Sequence, residues 1–212
     1  MQRQETPPGP DKSGCEIRAD NISVMRGERL IFRNLSLAVR SGAAVILAGP
    51  NGSGKTTLLR VLAGLIRPAA GRVLWQGGRA LNDLAENGQR VAYVGHQDAI
   101  KPGLTVTENL RFAAAVSGCP VDAALQCLRL MPLADLPARQ LSAGQKRRLA
   151  LSRLKLSNAP LWLLDEPTLG LDTASIEQFG GMLAEHRRAG GMVVAATHIP
   201  LPLSDVTEFR FA

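Results

Sequence analysis

The sequence predicts an α/β fold, a largely parallel sheet with helices on both faces. Three observations carry this expectation. The stretch Gly49-Pro50-Asn51-Gly52-Ser53-Gly54-Lys55-Thr56 fits the spacing G-x-x-x-x-G-K-[ST] at every fixed position. It lies between an apolar run, residues 43–48, and a helical pattern that places Leu58, Leu59, Leu62 and Leu65 on one face. Apolar strand-like runs recur at 161–164 and 192–196, with a helical stretch at 173–189 between them.

Taken in order, residues 1–14 are polar and rich in Pro and Gly, the composition of a disordered tail. Residues 15–39 hold short alternating runs that suggest antiparallel strands, and Ser41-Gly42 turns the chain into the strand before the loop. Arg67-Pro68-Ala69-Ala70-Gly71 breaks the first helical pattern. Strands are expected at 72–75 and 90–94, with a turn at 76–78. The segment from Asp98 to Asn158 then changes character and predicts helices at 107–117, 122–130 and 143–156. Thr105 or Thr107 caps the first of these, with Glu108 in its first turn. Such a block between strand regions suggests a helical subdomain, about 98–158, inserted into a core domain spanning 15–212. Gly190-Gly191 stops the 173–189 helix, and a last strand is expected at 206–211.

Composition narrows the function classes. The 212 residues are 45% hydrophobic and 20% charged, which suits one globular domain. No apolar run approaches the roughly 18 residues of a membrane span, and no apolar stretch follows the N-terminal Met1-Gln2-Arg3 as in a secretory signal, so a cytoplasmic chain is expected. Cys15, Cys119 and Cys127 show neither zinc spacing nor a disulfide framework. The net charge of +7 comes from arginines spread along the chain rather than a basic stripe, so nucleic acid is not an expected partner.

The Gly-rich stretch carries the chemistry. Its backbone N–H groups can point inward at a phosphate, aided by the dipole of the following helix. Lys55 reaches the β- and γ-phosphates, and the Thr56 hydroxyl suits Mg²⁺. Asp165 and Glu166 end an apolar strand, where parallel sheets carry ligands: Asp165 suits Mg²⁺, and Glu166 suits polarising a water. Ser142 opens a second helix whose first turn, Ala143-Gly144-Gln145, exposes N–H groups to an anion. A second phosphate-facing helix start suggests two chains sharing nucleotides across a dimer. His198 follows the 192–196 strand, near the γ-phosphate and Glu166. Gln97 also ends a strand and is placed to touch Mg²⁺ or the water, with His96 its rival by a one-residue shift.

With these residues assembled, the chain resembles the ATP-binding cassette (ABC) ATPases from Glu16 onward. The motifs stand in family order: residues 49–56 as Walker A, Gln97 in the Q-loop, Leu141-Ser142-Ala143-Gly144-Gln145 as the signature, residues 161–166 as Walker B, Leu169-Gly170-Leu171-Asp172 as the D-loop and His198 as the switch histidine. Ala143 departs from the commonest signature, which has Gly. Met25-Arg26-Gly27 offers no aromatic for adenine, so Arg26 either lays its guanidinium on the base or stays solvated. A narrower resemblance, to the haem-exporter ATPases of cytochrome c maturation, rests on Val73-Leu74-Trp75-Gln76-Gly77, Gly95-His96-Gln97, residues 141–154, 162–167 and 196–201.

The resemblance implies a P-loop NTPase with a RecA-like parallel core, an N-terminal antiparallel region and the inserted helical subdomain. It implies ATP and Mg²⁺ as cofactors, with nucleotide contacts from 49–56, Thr57, Arg26, Ser142, Gly144, Gln145 and Asp172, and with Glu166, His198 and Gln97 as catalytic residues. Metal contacts fall to Thr56, Asp165 and Gln97. Expected partners are a second copy and transmembrane permease subunits, at the cytoplasmic face of the inner membrane, with haem not bound by this chain. The competing readings are the ATPase of another exporter, for lipid, drug or peptide, and a soluble ABC protein.

Overall fold

The computed structural model describes residues 16–75, 79–80, 88–117 and 119–211. The tail expected at 1–14 and the turn expected at 76–78 lie outside them. Strands β1 (Glu16–Arg26) and β2 (Arg29–Arg40) form a long hairpin. With β4 (Ala70–Trp75) and β5 (Arg79–Ala80) they build an antiparallel sheet of order β2-β1-β4-β5. Alternation drives β1: Ile17, Ala19, Ile22 and Val24 are buried, and the step from Ala19 to Ile22 is absorbed by a bulge at Asn21, whose φ is 46°.

The second sheet has the order β6-β7-β8-β3-β9, and every pairing in it is parallel. Its strands are β3 (Ala44–Ala48), β6 (Val91–Val94), β7 (Leu161–Asp165), β8 (Met192–Ala196) and β9 (Val206–Arg210). All residues of β7 and β8 are buried, which is why both read as unbroken apolar runs. Among the described residues, the helices that frame the sheets include α1 (Lys55–Leu62), α2 (Val106–Ser117), α3 (Val121–Cys127), α4 (Ala143–Ser152) and α5 (Thr173–Arg188).

The two faces of the parallel sheet bury separate clusters. Leu47, Leu163 and Val194 pack with Leu58 and Leu59 of α1 and with Trp75 and Ile17 of the antiparallel sheet. Their neighbours in sequence, Trp162, Leu164 and Val193, face the other way onto Leu151, Phe179 and Leu183. A third cluster, including Val106, Leu110, Leu125 and Leu149, joins α2, α3 and α4. These helices lie between β6 and β7 in the chain, within the stretch expected to be helical.

The structure corrects three helical expectations. Leu65 is not on α1; it is 57% exposed. Gly64, at φ 73°, ends the helix with N–H bonds from Gly64 to the Val61 carbonyl and from Leu65 to the Arg60 carbonyl. The helix expected at 122–130 ends at Cys127, and Leu130 is buried beyond it. The helix expected at 143–156 is α-helical to Ser152, then a 3₁₀ turn over Arg153–Leu156. Thr105, rather than Thr107, caps α2: its Oγ1 accepts from Glu108 N at 3.1 Å, and its N–H donates to Glu108 Oε2 at 2.8 Å.

Candidate functional site

The parallel sheet delivers its carboxyl ends to one edge, and the loop after β3 leads there into α1. Lys55, only 8% exposed, donates from Nζ to the carbonyls of Gly49 at 2.6 Å and Pro50 at 3.0 Å. Its ammonium is thus folded back over the loop that it follows. Ser53 Oγ is buried in the loop without a hydrogen-bond partner, which leaves a hydroxyl available to an entering oxyanion. Beyond the loop, Phe211 pairs its N–H with the Ala48 carbonyl at 2.8 Å and sets its ring edge-on to Phe32, 6.2 Å between centroids. These contacts fix the strand that aims the loop.

Thr56 and Asp165 meet across the space between α1 and β7. The Thr56 hydroxyl donates to the Asp165 carboxylate, with Oγ1 3.1 and 2.9 Å from its two oxygens. Asp165 is 4% exposed. These are hard oxygen donors side by side, and the described residues hold no group of three or more His, Cys, Asp or Glu suited to a metal ion. Few protein oxygens, completed by phosphate and water, is how Mg²⁺ is usually held, so the pair fits that ion.

Glu166 and His198 are also brought together. The His198 N–H donates to Glu166 Oε2 at 3.3 Å, and His198 Nε2 lies 3.6 Å from Glu166 Oε1. The same Nε2 is 2.9 Å from Asn51 Oδ1, so in the tautomer carrying the proton there it donates to the phosphate loop. Glu166 has φ 47°, and its N–H donates to the Ala196 carbonyl at 2.7 Å. A non-glycine residue in the left-handed region stores strain, a feature concentrated at functional sites.

The second helix start is built as a cap. Ser142 Oγ accepts from Gln145 N at 3.2 Å, and Gln145 Oε1 accepts from Ser142 N at 2.8 Å. Gly144 backs onto the 169–172 turn; a Cβ there would fall 2.8 Å from the Gly170 carbonyl oxygen. Asp172 caps α5 by accepting from Ser175 N at 2.8 Å, and hydrogen bonding to Ser175 holds its carboxyl below the ordinary range. Within one chain, Ser142, Gly144 and Gln145 are spent on this cap and turn, while Arg26, His96 and Gln97 are exposed.

Sequence reasoning missed Arg147. It is 5% exposed and donates to the carbonyls of Gly95, Asp165, Glu166 and Pro167 as well as to the Asp98 carboxylate. In the run Lys146-Arg147-Arg148 nothing marks it out, and four of its five acceptors are backbone oxygens. Burial raises the Tyr93 pKa, and the nearby Arg60 lowers it in part.

Comparisons with known proteins fit this geometry. The sequence profile of the ABC transporter family matches residues 32–169. A cytochrome c biogenesis ATP-binding export protein, CcmA, from Rhodospirillum rubrum is 52% identical over 93% of this chain and 88% of its own length. The CcmA of Gluconobacter oxydans is 48% identical over 94% of this chain and 88% of its own length. Among solved structures, the ATP-binding cassette MJ0796, described as a dimer in a post-hydrolysis state with ADP and Pi, superposes with a TM-score of 0.76. It is 28% identical and the match covers 86% of this chain and 88% of that one. A phosphate loop, a Thr–Asp pair beside it and a Glu–His pair facing it, in a chain so similar over nearly its whole length, place this protein in the ABC transporter family as an ATP-binding subunit.

Proposed function

We propose that this chain is the ATP-hydrolysing motor of an export complex serving cytochrome c biogenesis, with haem as the exported cargo and no haem site on the motor itself. The likeness to CcmA proteins over more than nine-tenths of the chain supports the process. The observation that carries the chemistry is the convergence of Lys55, Thr56, Asp165, Glu166 and His198 at one sheet edge.

Lys55 and the backbone N–H groups of the 49–57 loop, to which Pro50 adds none, bind the phosphates of ATP. On binding, the ammonium exchanges the carbonyls of Gly49 and Pro50 for phosphate oxygens. Thr56 and Asp165 would hold Mg²⁺, which would supply neutralisation of phosphate charge when bound. Glu166 accepts a proton from the attacking water. His198 keeps the Glu166 carboxylate and Asn51 in register, and Gln97 touches the ion or the water. Arg26 lies against the adenine.

The far side of the phosphate is completed by Ser142, Gly144 and Gln145 of a second copy, with Asp172 at the same interface. Hydrolysis removes the bridge and opens the pair. The 98–158 stretch acts as a helical subdomain within the 15–212 ATPase domain and, with the Q-loop, docks transmembrane permease subunits at the cytoplasmic face of the inner membrane. Among the described residues no helix is long and apolar enough to cross a membrane, so the membrane passage is assigned to those partners.

Glu166→Gln tests the assignment. The variant is expected to bind ATP, stop turnover and accumulate as an ATP-bound dimer seen by size-exclusion chromatography. Hydrolysis at the wild-type rate would remove Glu166 as the base. Identification of the proteins that co-purify from detergent-solubilised membranes tests the process: permease and cytochrome c maturation subunits are expected, and subunits of an unrelated exporter would reassign the cargo.

A further inference from the structure

We propose that Arg147 is a positioning residue for ATP hydrolysis, a buried strut that holds the Glu166 turn and the Q-loop turn in fixed relation to the signature helix. The inference rests on the assignment of Glu166 above. Every donor nitrogen of the guanidinium is in use. Nε donates to Pro167 O at 2.9 Å. Nη2 donates to Asp165 O at 2.7 Å and Glu166 O at 2.8 Å. Nη1 donates to Gly95 O and to Asp98 Oδ1, both at 2.9 Å. One side chain from α4 thus ties three successive carbonyls, at and just past the end of β7, to two acceptors after β6.

The physical need lies in Glu166. Its φ of 47° is a conformation that a residue with a Cβ keeps only when its surroundings over-determine it. Its N–H is pinned to Ala196 O, and its own carbonyl and those on either side of it are pinned by Arg147. Without the strut the peptide can relax and swing the carboxylate away from the phosphate loop. The Q-loop side is held just as tightly. Arg153, from the 3₁₀ turn that extends α4, donates to Asp98 O at 2.5 Å and Ala99 O at 3.0 Å, and Ala99 too is left-handed, at φ 49°. Ser142, at the start of α4, is therefore linked through a rigid helix turn to both the base and Gln97. Lysine cannot replace this: one ammonium has three donors and no planar fork.

The test is steady-state hydrolysis by the chain affinity-purified with its co-purifying membrane subunits. Arg147→Lys, Arg147→Gln and Asp98→Ala are compared with Glu166→Gln, and binding of a fluorescent ATP analogue is measured in parallel. Arg147→Lys and Arg147→Gln should lower kcat roughly 10- to 100-fold, the usual result of misplacing a catalytic group by about an ångström. Asp98→Ala, which removes one of the five acceptors, should lower kcat by a smaller factor. KM and analogue binding should stay within about twofold, because none of these groups touches phosphate.

A merely structural arginine would lower the melting temperature but leave kcat intact at a temperature where all variants are folded. That result, or a rise in KM at constant kcat, overturns the proposal. If the Arg147 variants do not fold, Asp98→Ala decides alone, since it removes the one side-chain acceptor of the guanidinium and that side chain is 26% exposed: wild-type kcat there refutes the strut. An inactive Glu166→Gln beside active strut variants sinks this inference only; an active Glu166→Gln sinks the site assignment beneath it.

Discussion

Thr56→Val isolates the proposed metal site with a single atom. Valine keeps the β-branched shape on α1 and removes only the hydroxyl that lies 2.9 and 3.1 Å from the Asp165 oxygens. A hydrogen bond to a charged group contributes about 1.5–3 kcal/mol, and Asp165 is too deeply buried for water to replace it fully. For a chain of this size each kcal/mol moves the melting temperature by about 2–4 °C, so a fall of about 3–12 °C is expected without Mg²⁺. If the same hydroxyl ligates the ion, losing it weakens the ion by a comparable energy, roughly 10- to 150-fold in half-saturation at 1.4 kcal/mol per decade. The assay is ATP hydrolysis against free Mg²⁺ at saturating ATP, beside thermal melts with and without the ion. Thr56→Ser, which keeps the hydroxyl, should behave as wild type in the Mg²⁺ titration. A Thr56→Val protein that melts early but shows unchanged Mg²⁺ half-saturation would confine this hydroxyl to a structural role and refute the metal assignment.

Other outcomes follow from the same geometry. Gly144→Ala places a methyl 2.8 Å from the Gly170 carbonyl, so the 169–172 turn must move; kcat should fall while analogue binding is retained, and an unchanged kcat would show that the turn yields freely. Arg26→Ala should raise the apparent KM for ATP, and an unaltered KM assigns Arg26 to solvent instead. Asp172→Ala removes the α5 cap. The folded pKa of Asp172 lies below its ordinary 3.8, so its contribution is full above that value and is lost as pH falls through the folded one. The melting-temperature gap between wild type and Asp172→Ala should therefore be present at neutral pH and narrow in acid; a constant gap would refute the linkage. Burial lifts the Cys127 thiol to about 11, so peptide mapping after alkylation at pH 8 should find it unmodified in the folded protein.

What the sequence made legible follows from where the chemistry resides. The loop before α1 was readable because its function demands named residue types at a fixed local spacing: glycines to turn, lysine for charge, threonine for oxygen. The strand ending in Asp165 and Glu166 was readable because β7, buried on both faces, has to be apolar until it reaches the ligand edge. The cap at Ser142 was visible as a serine opening a helical run, whereas its closure into a capping box by Gln145 is disclosed by the folded chain. Helix ends were less so: the stop at Gly64 competes with a leucine pattern that continues to Leu65, and a backbone hydrogen-bond motif decides the outcome.

Arg147 marks the limit. Its acceptors are carbonyl oxygens of Gly95, Asp165, Glu166 and Pro167, and a carbonyl oxygen is the same on any residue, so the partner sequence carries almost no trace of the contact. Only Asp98 contributes a side chain, 49 residues away. The distinction is physical. Groups that act on a ligand must have particular side chains and so appear as motifs. Groups that hold those side chains in strained positions bind backbone, and only the folded chain discloses them. The strain at Glu166 is the clue that connects the two kinds, because a left-handed glutamate needs something to hold it, and the surrounding hydrogen bonds lead back to one arginine.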